Sequence, residues 1–312
     1  MLNLEHIRQL CTGGISISEP LAPLTSFRIG GPADIYLEPS TTDELVALVR
    51  YFRVQEVSYI LLGNGSNILI SDEGYRGAAL SIEKGFSSVT LDGDTITAGA
   101  GIRLSTFVDF AITHNFAGVE MLAGIPGTLG GGVIMNAGAY GGEISDHLLD
   151  VTVLRGTDVR TLSRDACNFR YRNSDLKEDI VLSARFRFPR GDAQELRRRR
   201  KELLLKRNAA QPVKFPNAGS IFKNPEGDFA ARLIESSGLK GQRFGGAVVS
   251  ELHANFIVND SGATANDVVA LINRVRRIVF ETTGVVLEPE IQFIGFSADP
   301  LDPLPLNRQV QA

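Results

Sequence analysis

Nine of the 25 residues from Gly118 to Gly142 are glycine, against 32 in all 312 residues. No other feature constrains the fold as much. Backbone without Cβ atoms can turn into the left-handed region and lie close to another chain or a ligand, at a cost in conformational entropy. Ile125, Leu129, Val133, Ile134 and Met135 interleave with these glycines, so the segment reads as packed backbone in tight turns rather than as a flexible linker.

Three glycine-bearing turns look able to hold a phosphorylated ligand, because consecutive N–H groups in such turns can point at one anion. The first is Gly63, Asn64, Gly65, Ser66 and Asn67. The second is Gly124, Ile125, Pro126, Gly127 and Thr128. The third runs from Gly130, Gly131 and Gly132 to Asn136, Ala137, Gly138, Ala139, Tyr140 and Gly141. Neither a Rossmann Gly-x-Gly-x-x-Gly after a strand nor a Walker Gly-Lys-Ser/Thr is present. Each turn alone is more often an ordinary tight turn. Three in one half of the chain favour a large diphosphate ligand.

Around them the periodicity alternates. Thr41 with Glu44 makes a capping box, and Leu45, Leu48, Val49 and Phe52 recur at helical spacing. Short strands are predicted at Val57–Leu62, Ala78–Ile82, Ser88–Leu91, Thr95–Ala98, Asp150–Arg155, Val159–Leu162 and Ile180–Arg187. Helices are predicted over Leu104–Asn115 and Ala193–Asn208, the latter carrying Arg197 to Lys201, Lys206 and Arg207 on what reads as a solvated face. A last unit begins near Gln211-Pro212. In it Thr264 and Asp267 cap a helix faced by Val268, Leu271, Ile272, Val275, Ile278 and Val279. Gly284 ends that helix, Val285-Val286-Leu287 is expected to start a final strand, and a mobile tail is expected from Phe296 to Ala312.

Composition narrows the function. Thirty-two basic against 36 acidic residues argue against a dedicated nucleic-acid binder. Two cysteines, Cys11 and Cys167, and four scattered histidines suggest neither a disulfide framework nor a metal cluster. No run reaches the ~18 apolar residues of a membrane span. Met1–Leu10 shows no apolar signal core, so a cytoplasmic protein without a membrane partner is expected.

In the last third, Asn217-Ala218-Gly219-Ser220-Ile221-Phe222-Lys223-Asn224-Pro225 gathers a hydroxyl, an ammonium and amides around a glycine. On spacing alone Ser220 is a turn residue. Gly-x-Ser-x-Gly is absent, so a hydrolase nucleophile is disfavoured, whereas proton delivery to carbon stays open. Glu288-Pro289-Glu290 reads as an exposed strand end following a buried strand, and Arg172 as a surface or salt-bridged arginine. From residues alone the chain is an α+β protein with an anionic-cofactor half and a polar C-terminal pocket.

Read together, these segments resemble the UDP-N-acetylenolpyruvoylglucosamine reductase family. The resemblance spans Leu21 to Gly295 through Thr25–Asp34, Gly63–Asn67, Gly124–Thr128, Asn136–Gly141, Tyr171–Ser174, Ala218–Pro225, His253–Asn259 and Glu288–Ile291. It implies non-covalent FAD held by two N-terminal subdomains of the vanillyl-alcohol-oxidase-like type, residues 1–84 and 85–208, in the turns above. A C-terminal α+β substrate domain, 209–296, and the Pro-containing tail 297–312 would follow. NADPH would reduce the flavin. The enolpyruvyl ether of UDP-N-acetylglucosamine would then take hydride at its vinyl carbon, giving UDP-N-acetylmuramate for peptidoglycan synthesis. By the same resemblance Arg172 and a protonated Glu290 stabilise the enolate-like charge, Ser220 protonates the α-carbon, and Lys223, Asn224 and Asn255 contact substrate.

Only 48 positions separate Arg172 from Ser220, which fits the shorter subclass lacking a tyrosine loop. No histidine lies in the first two turns, against a covalent flavin. A monomer acting on a small-molecule substrate is expected. The alternatives are a flavin-dependent sugar or alcohol oxidase and a catalytically idle flavin- or nucleotide-binding module. The oxidase would need a base where this chain offers Ser220, and the idle module would not need Ser220, Arg172 and Glu290 together.

Overall fold

Two hydrophobic cores form in the computed structural model, which describes residues 2–304. They correspond to two units: Met1–Glu19, Ala33–Asn64 and Arg76–Ala209 in the larger, Pro20–Pro32, Gly65–Tyr75 and Ala210–Ala312 in the smaller.

In the larger unit, helices α1 (Leu4–Leu10) and α2 (Thr42–Val54) accompany a four-stranded sheet in the order Gly14–Pro20, Pro32–Glu38, Tyr75–Leu80, Tyr59–Leu61. Leu45, Leu48, Val49 and Phe52 are the buried face of α2, as their spacing predicts. The Thr41 hydroxyl accepts from the Glu44 N–H, but the reciprocal half of the box does not form. Instead the Glu44 carboxylate accepts at 2.8 Å from the N–H of Ser40, the residue before the cap, and at 2.5 Å from the Thr12 hydroxyl of the N-terminal segment.

A five-stranded antiparallel sheet follows, in the order Asp158–Ser163, Leu148–Arg155, Ile180–Arg187, Thr95–Gly99, Val89–Asp92. Helices α3 (Leu104–Thr113), α4 (Leu129–Ile134) and α5 (Ala193–Ala210) complete the unit. The basic face of α5 is solvated, as its composition suggests: Arg197, Arg198, Arg199, Lys201 and Lys206 are exposed. Two of its arginines still reach carboxylates, Arg199 buried Glu120 and Arg200 Asp109, beside buried Leu196.

The smaller unit packs α6 (Ala230–Ser236) and α7 (Ala265–Thr283) with a three-stranded antiparallel sheet, Arg243–Phe244, Ala247–Val249 and Ile257–Asn259. Thr264 and Asp267 form the full capping box, and Gly284 closes α7 in the left-handed conformation. Val268, Leu271, Ile272, Val275 and Val279 are buried, each worth about 1.5–3 kcal/mol relative to exposure.

Two expectations need correcting. Val285–Leu287 is not a strand; the final strand is Gln292–Ile294, paired in parallel with Ile68–Ile70, so Glu288–Glu290 precedes a strand rather than following one. An apolar triplet next to a helix end cannot announce a partner more than 200 residues away. Nor do residues 297–304 lack partners: Asn273 and Arg276 on α7 donate to the carbonyls of Pro300 and Asp302, and Leu301 packs on the core. The rest of the expected mobile tail, 305–312, lies outside the described residues.

Candidate functional site

The glycine run folds as a turn, α4 and a two-stranded ribbon. The Leu104 N–H donates to Gly127 O at 3.0 Å and the Gly130 N–H to Ala100 O at 2.8 Å, pinning the Gly124–Thr128 turn to the start of α3. Ile125 is half-buried, Pro126 exposed, and Thr128 buried. Gly63, with Asn64, belongs to the same unit. A Cβ built on Gly63 would lie 2.6 Å from Thr128 Oγ1, so the first two turns meet there. Ala137 bonds to Gly132 O and accepts from Ile144, after which Gly138–Ala139 pairs with Gly142–Glu143 around Tyr140 and Gly141.

Three consecutive glycines in α4 differ in what explains them. A Cβ on Gly130 would strike Ala100 at 2.9 Å, and one on Gly132 would press Leu104 at 3.2 Å. Gly131 is exposed, and its Cβ would meet only Thr128 Oγ1, at 3.6 Å. The protein's own packing gives no reason for glycine there. A ligand lying on the backbone beside Thr128 does, so the residues present fit a cofactor approached through the main chain.

Arg172 stands on this run. Arg170 and Asn173 exchange backbone hydrogen bonds, enclosing Tyr171-Arg172 as a two-residue turn with Arg172 left-handed at φ 53°. Its guanidinium donates to Gly138 O at 2.7 Å and lies 5.0 Å from the Tyr171 ring centroid. The loop is fastened twice more: Ser174 Oγ donates to Ile134 O, and Asn136 Nδ2 donates to Arg170 O and to the Glu143 carboxylate. Asn136 is fully buried and itself left-handed at φ 46°, with Oδ1 unpartnered. Asn136, Tyr140 and Arg172 thus hold left-handed backbone in one cluster, a strain such as functional sites often contain.

The smaller unit contains a second network. Gly65, Ser66 and Asn67 belong to it: the Ser26 N–H donates to Gly65 O, Asn67 Nδ2 donates to Glu290 O at 3.2 Å, and the Gln292 N–H donates to Asn67 O. Ser26 Oγ donates to Asn217 O at 2.6 Å. Phe222 bridges Pro289 antiparallel, the Glu290 N–H donates to Ile221 O at 2.7 Å, and the Lys223 N–H donates to Glu288 O. Ser220 and Glu290, both half-buried, are therefore on neighbouring segments, with Asn67 of the first glycine-bearing turn hydrogen-bonded to the same stretch.

Asn255 is buried and its amide is engaged at both ends, Oδ1 with the Phe222 N–H and Nδ2 with Phe222 O. Asn224 Oδ1 accepts from the Ala230 N–H at the start of α6, and Lys223 Nζ pairs with Glu288 at 2.5 Å. His253 Nδ1 accepts from the Asn255 N–H, and burial pushes this imidazole below its ordinary value. Burial pushes the Cys167 thiol up to about 11, so it is not a thiolate near neutrality.

The sequence pointed to a role for Arg172, but Asn136, which holds its loop, stood out only as part of the third turn. An asparagine among glycines was the available signal, since Asn enters the left-handed region more readily than other residues. Arg172 is in the larger unit, Ser220 and Glu290 in the smaller. Among the described residues no group of three or more metal-ligating side chains occurs, and no helix is long and apolar enough to cross a membrane.

Comparison with known proteins gives the chain its family. Residues 211–294 match the family model described as UDP-N-acetylenolpyruvoylglucosamine reductase, C-terminal domain, and residues 33–161 match an FAD binding domain. A UDP-N-acetylenolpyruvoylglucosamine reductase of Caldanaerobacter subterraneus subsp. tengcongensis is 43% identical over 286 residues, covering 91% of this chain and 94% of the relative. One from Desulforamulus reducens is 42% identical over 293 residues, covering 93% and 97%. The crystal structure of UDP-N-acetylenolpyruvylglucosamine reductase from Thermus caldophilus superimposes with a TM-score of 0.78 at 36% identity, covering 90% of this chain and 98% of that one.

Proposed function

Because the chain belongs to the UDP-N-acetylenolpyruvoylglucosamine reductase family, an α+β flavoenzyme family of peptidoglycan precursor synthesis, we propose that it converts the enolpyruvyl ether of UDP-N-acetylglucosamine to UDP-N-acetylmuramate, with Ser220 as the proton donor. The protein is an FAD- and NADPH-dependent oxidoreductase. The observation that most supports the assigned roles is the pairing of the Ser220–Lys223 and Glu288–Glu290 segments, to which Asn67 of the cofactor turn is also bonded.

Gly63, Asn64, Gly65, Ser66 and Asn67, with Gly124–Thr128, Gly131, Ala137–Ala139 and Gly141, would hold FAD non-covalently; when bound, it supplies the hydride it has taken from NADPH. Arg172, presented by its pinned turn, would stabilise negative charge developing at the substrate carboxylate. Glu290 would act as a neutral donor to the same charge, and Ser220 would deliver a proton to the α-carbon. Lys223 would exchange Glu288 for an anionic group of the substrate, with Asn224 as a neighbouring contact. Asn255 would serve the substrate segment through its grip on Phe222.

The organisation that goes with this reading is two FAD-binding subdomains, 1–84 and 85–208, a substrate domain, 209–296, and a tail, in a cytoplasmic monomer of the shorter subclass. Reaction with NADPH in deuterated water tests the chemistry. One non-exchanging deuterium should appear at the α-carbon of the product, whatever the label at the β-carbon, whose hydrogen passes through an exchangeable N–H of the reduced flavin. Unchanged substrate, or product without deuterium at the α-carbon, would sink the proposal.

A further inference from the structure

α5 contains the densest basic run of the chain; Arg197 is exposed, and the other arginines differ in what they meet. Arg198 pairs with Glu195 and Glu202, Arg199 with Glu120 and Arg200 with Asp109. Arg207, one turn from the C-terminal end, has neither a hydrogen bond nor an ion pair among the described residues, and yet it is half-buried. Its stem lies under the second cofactor turn. A Cβ built on Gly124, which has φ +80°, would come within 2.8 Å of Arg207 Cδ and 3.6 Å of Nε. Tyr140 closes the same place: its hydroxyl donates to Leu203 O on α5 at 3.1 Å, and Lys206 Nζ is 5.9 Å from its ring centroid.

Partial withdrawal of a guanidinium from water without a protein acceptor carries a cost, which an anionic ligand would offset. Resting on the FAD reading above, we propose that Arg207 is an anion-binding residue of the Gly124 turn and that its ligand is the diphosphate of the bound dinucleotide. The planar fork of arginine matches two phosphate oxygens at once. The inference explains three observations together: the missing acceptor, the glycine at 124 where any Cβ would displace the arginine, and the left-handed Tyr140 (φ 54°) tied to the helix. Burial pushes the Arg207 guanidinium below its ordinary value, the direction expected of a cation whose partner is a ligand.

The full-length apoprotein, titrated with FAD and with riboflavin and followed by flavin fluorescence, tests this. Arg207→Gln should weaken FAD by about 10- to 100-fold, the loss of a charge-assisted hydrogen bond, and leave riboflavin unchanged. Arg207→Lys should recover part of the difference. Unfolding of the Arg207→Gln apoprotein should occur at or above the wild-type temperature, because a half-buried charge without a protein acceptor has been removed. Unchanged FAD affinity, or equal weakening of FAD and riboflavin, would overturn the proposal while leaving the FAD reading intact. Should the wild type bind no FAD, inorganic pyrophosphate separates the two claims. Thermal stabilisation of wild type but not Arg207→Gln would keep the anion site and reject FAD; stabilisation of neither would reject both.

Discussion

The backbone N–H of Glu290 donates to the carbonyl oxygen of Ile221 at 2.7 Å. With the antiparallel bridge between Phe222 and Pro289 and the bond from the Lys223 N–H to Glu288 O, this sets a register that leaves Ser220 and Glu290 at the same end of the paired stretch. Asn255 holds the same stretch from its other side, through both ends of its amide.

Ser220→Ala should therefore leave that register intact, since no backbone bond above uses the hydroxyl. Anaerobic reduction of the flavin by NADPH should keep its wild-type rate, while reoxidation by substrate slows by about 10²- to 10⁴-fold, the usual contribution of a general acid. Stopped-flow absorbance separates the two; equal slowing of both would remove Ser220 from the protonation step.

Gly131→Ala separates folding from cofactor binding. Alanine in the exposed turn of α4 should stabilise the apoprotein by about 0.5–1 kcal/mol, since the new methyl meets only Thr128 Oγ1. It should also weaken FAD, because the same methyl fills the space left for the ligand. Thermal unfolding and FAD titration of one variant check both; unimpaired FAD binding would remove Gly131 from the cradle.

Asn136→Ala removes both donors from Nδ2 and leaves a left-handed alanine with Arg170 O and Glu143 short of a partner. The expected loss is about 2–4 kcal/mol, measured by urea unfolding. Asn136→Gly should cost less than Asn136→Ala, because glycine relieves the backbone strain; the reverse order would show that the strain is not there.

Burial holds His253 below the ordinary imidazole value, with Lys240 acting in the same direction. The unfolded chain therefore binds this proton more readily than the folded one. The penalty is absent above the unfolded value of about 6.5, grows as pH falls through it, and is complete below the folded value. Protonation of Nδ1 would also break its bond from the Asn255 N–H. His253→Gln should flatten the fall in urea midpoint between pH 7.5 and 5.5; an unchanged slope would place the titration elsewhere.

Local signals explain what was legible. The apolar spacing behind Thr41, the Thr264–Asp267 box and the alternation at Ile180–Arg187 are short-range patterns, and each reappears as the element it predicts. The parallel pairing of Gln292–Ile294 with Ile68–Ile70 was not legible, because periodicity within a strand says nothing about its partner. The glycines of the run were visible as a group. Which of them packing explains, and which it does not, needed the neighbours Ala100, Leu104 and Thr128. Arg207 was hidden for the opposite reason. It stands among six other basic residues, and only the structure distinguishes it from arginines with carboxylate partners.

An anaerobic flavin absorbance trace remains the decisive measurement. The FAD-loaded protein receives one equivalent of NADPH and then the enolpyruvyl ether of UDP-N-acetylglucosamine. Bleaching by NADPH and recovery on adding the sugar nucleotide, without oxygen, is the predicted result. Bleaching that recovers only when air is admitted would contradict the account and point to an oxidase or to another electron acceptor.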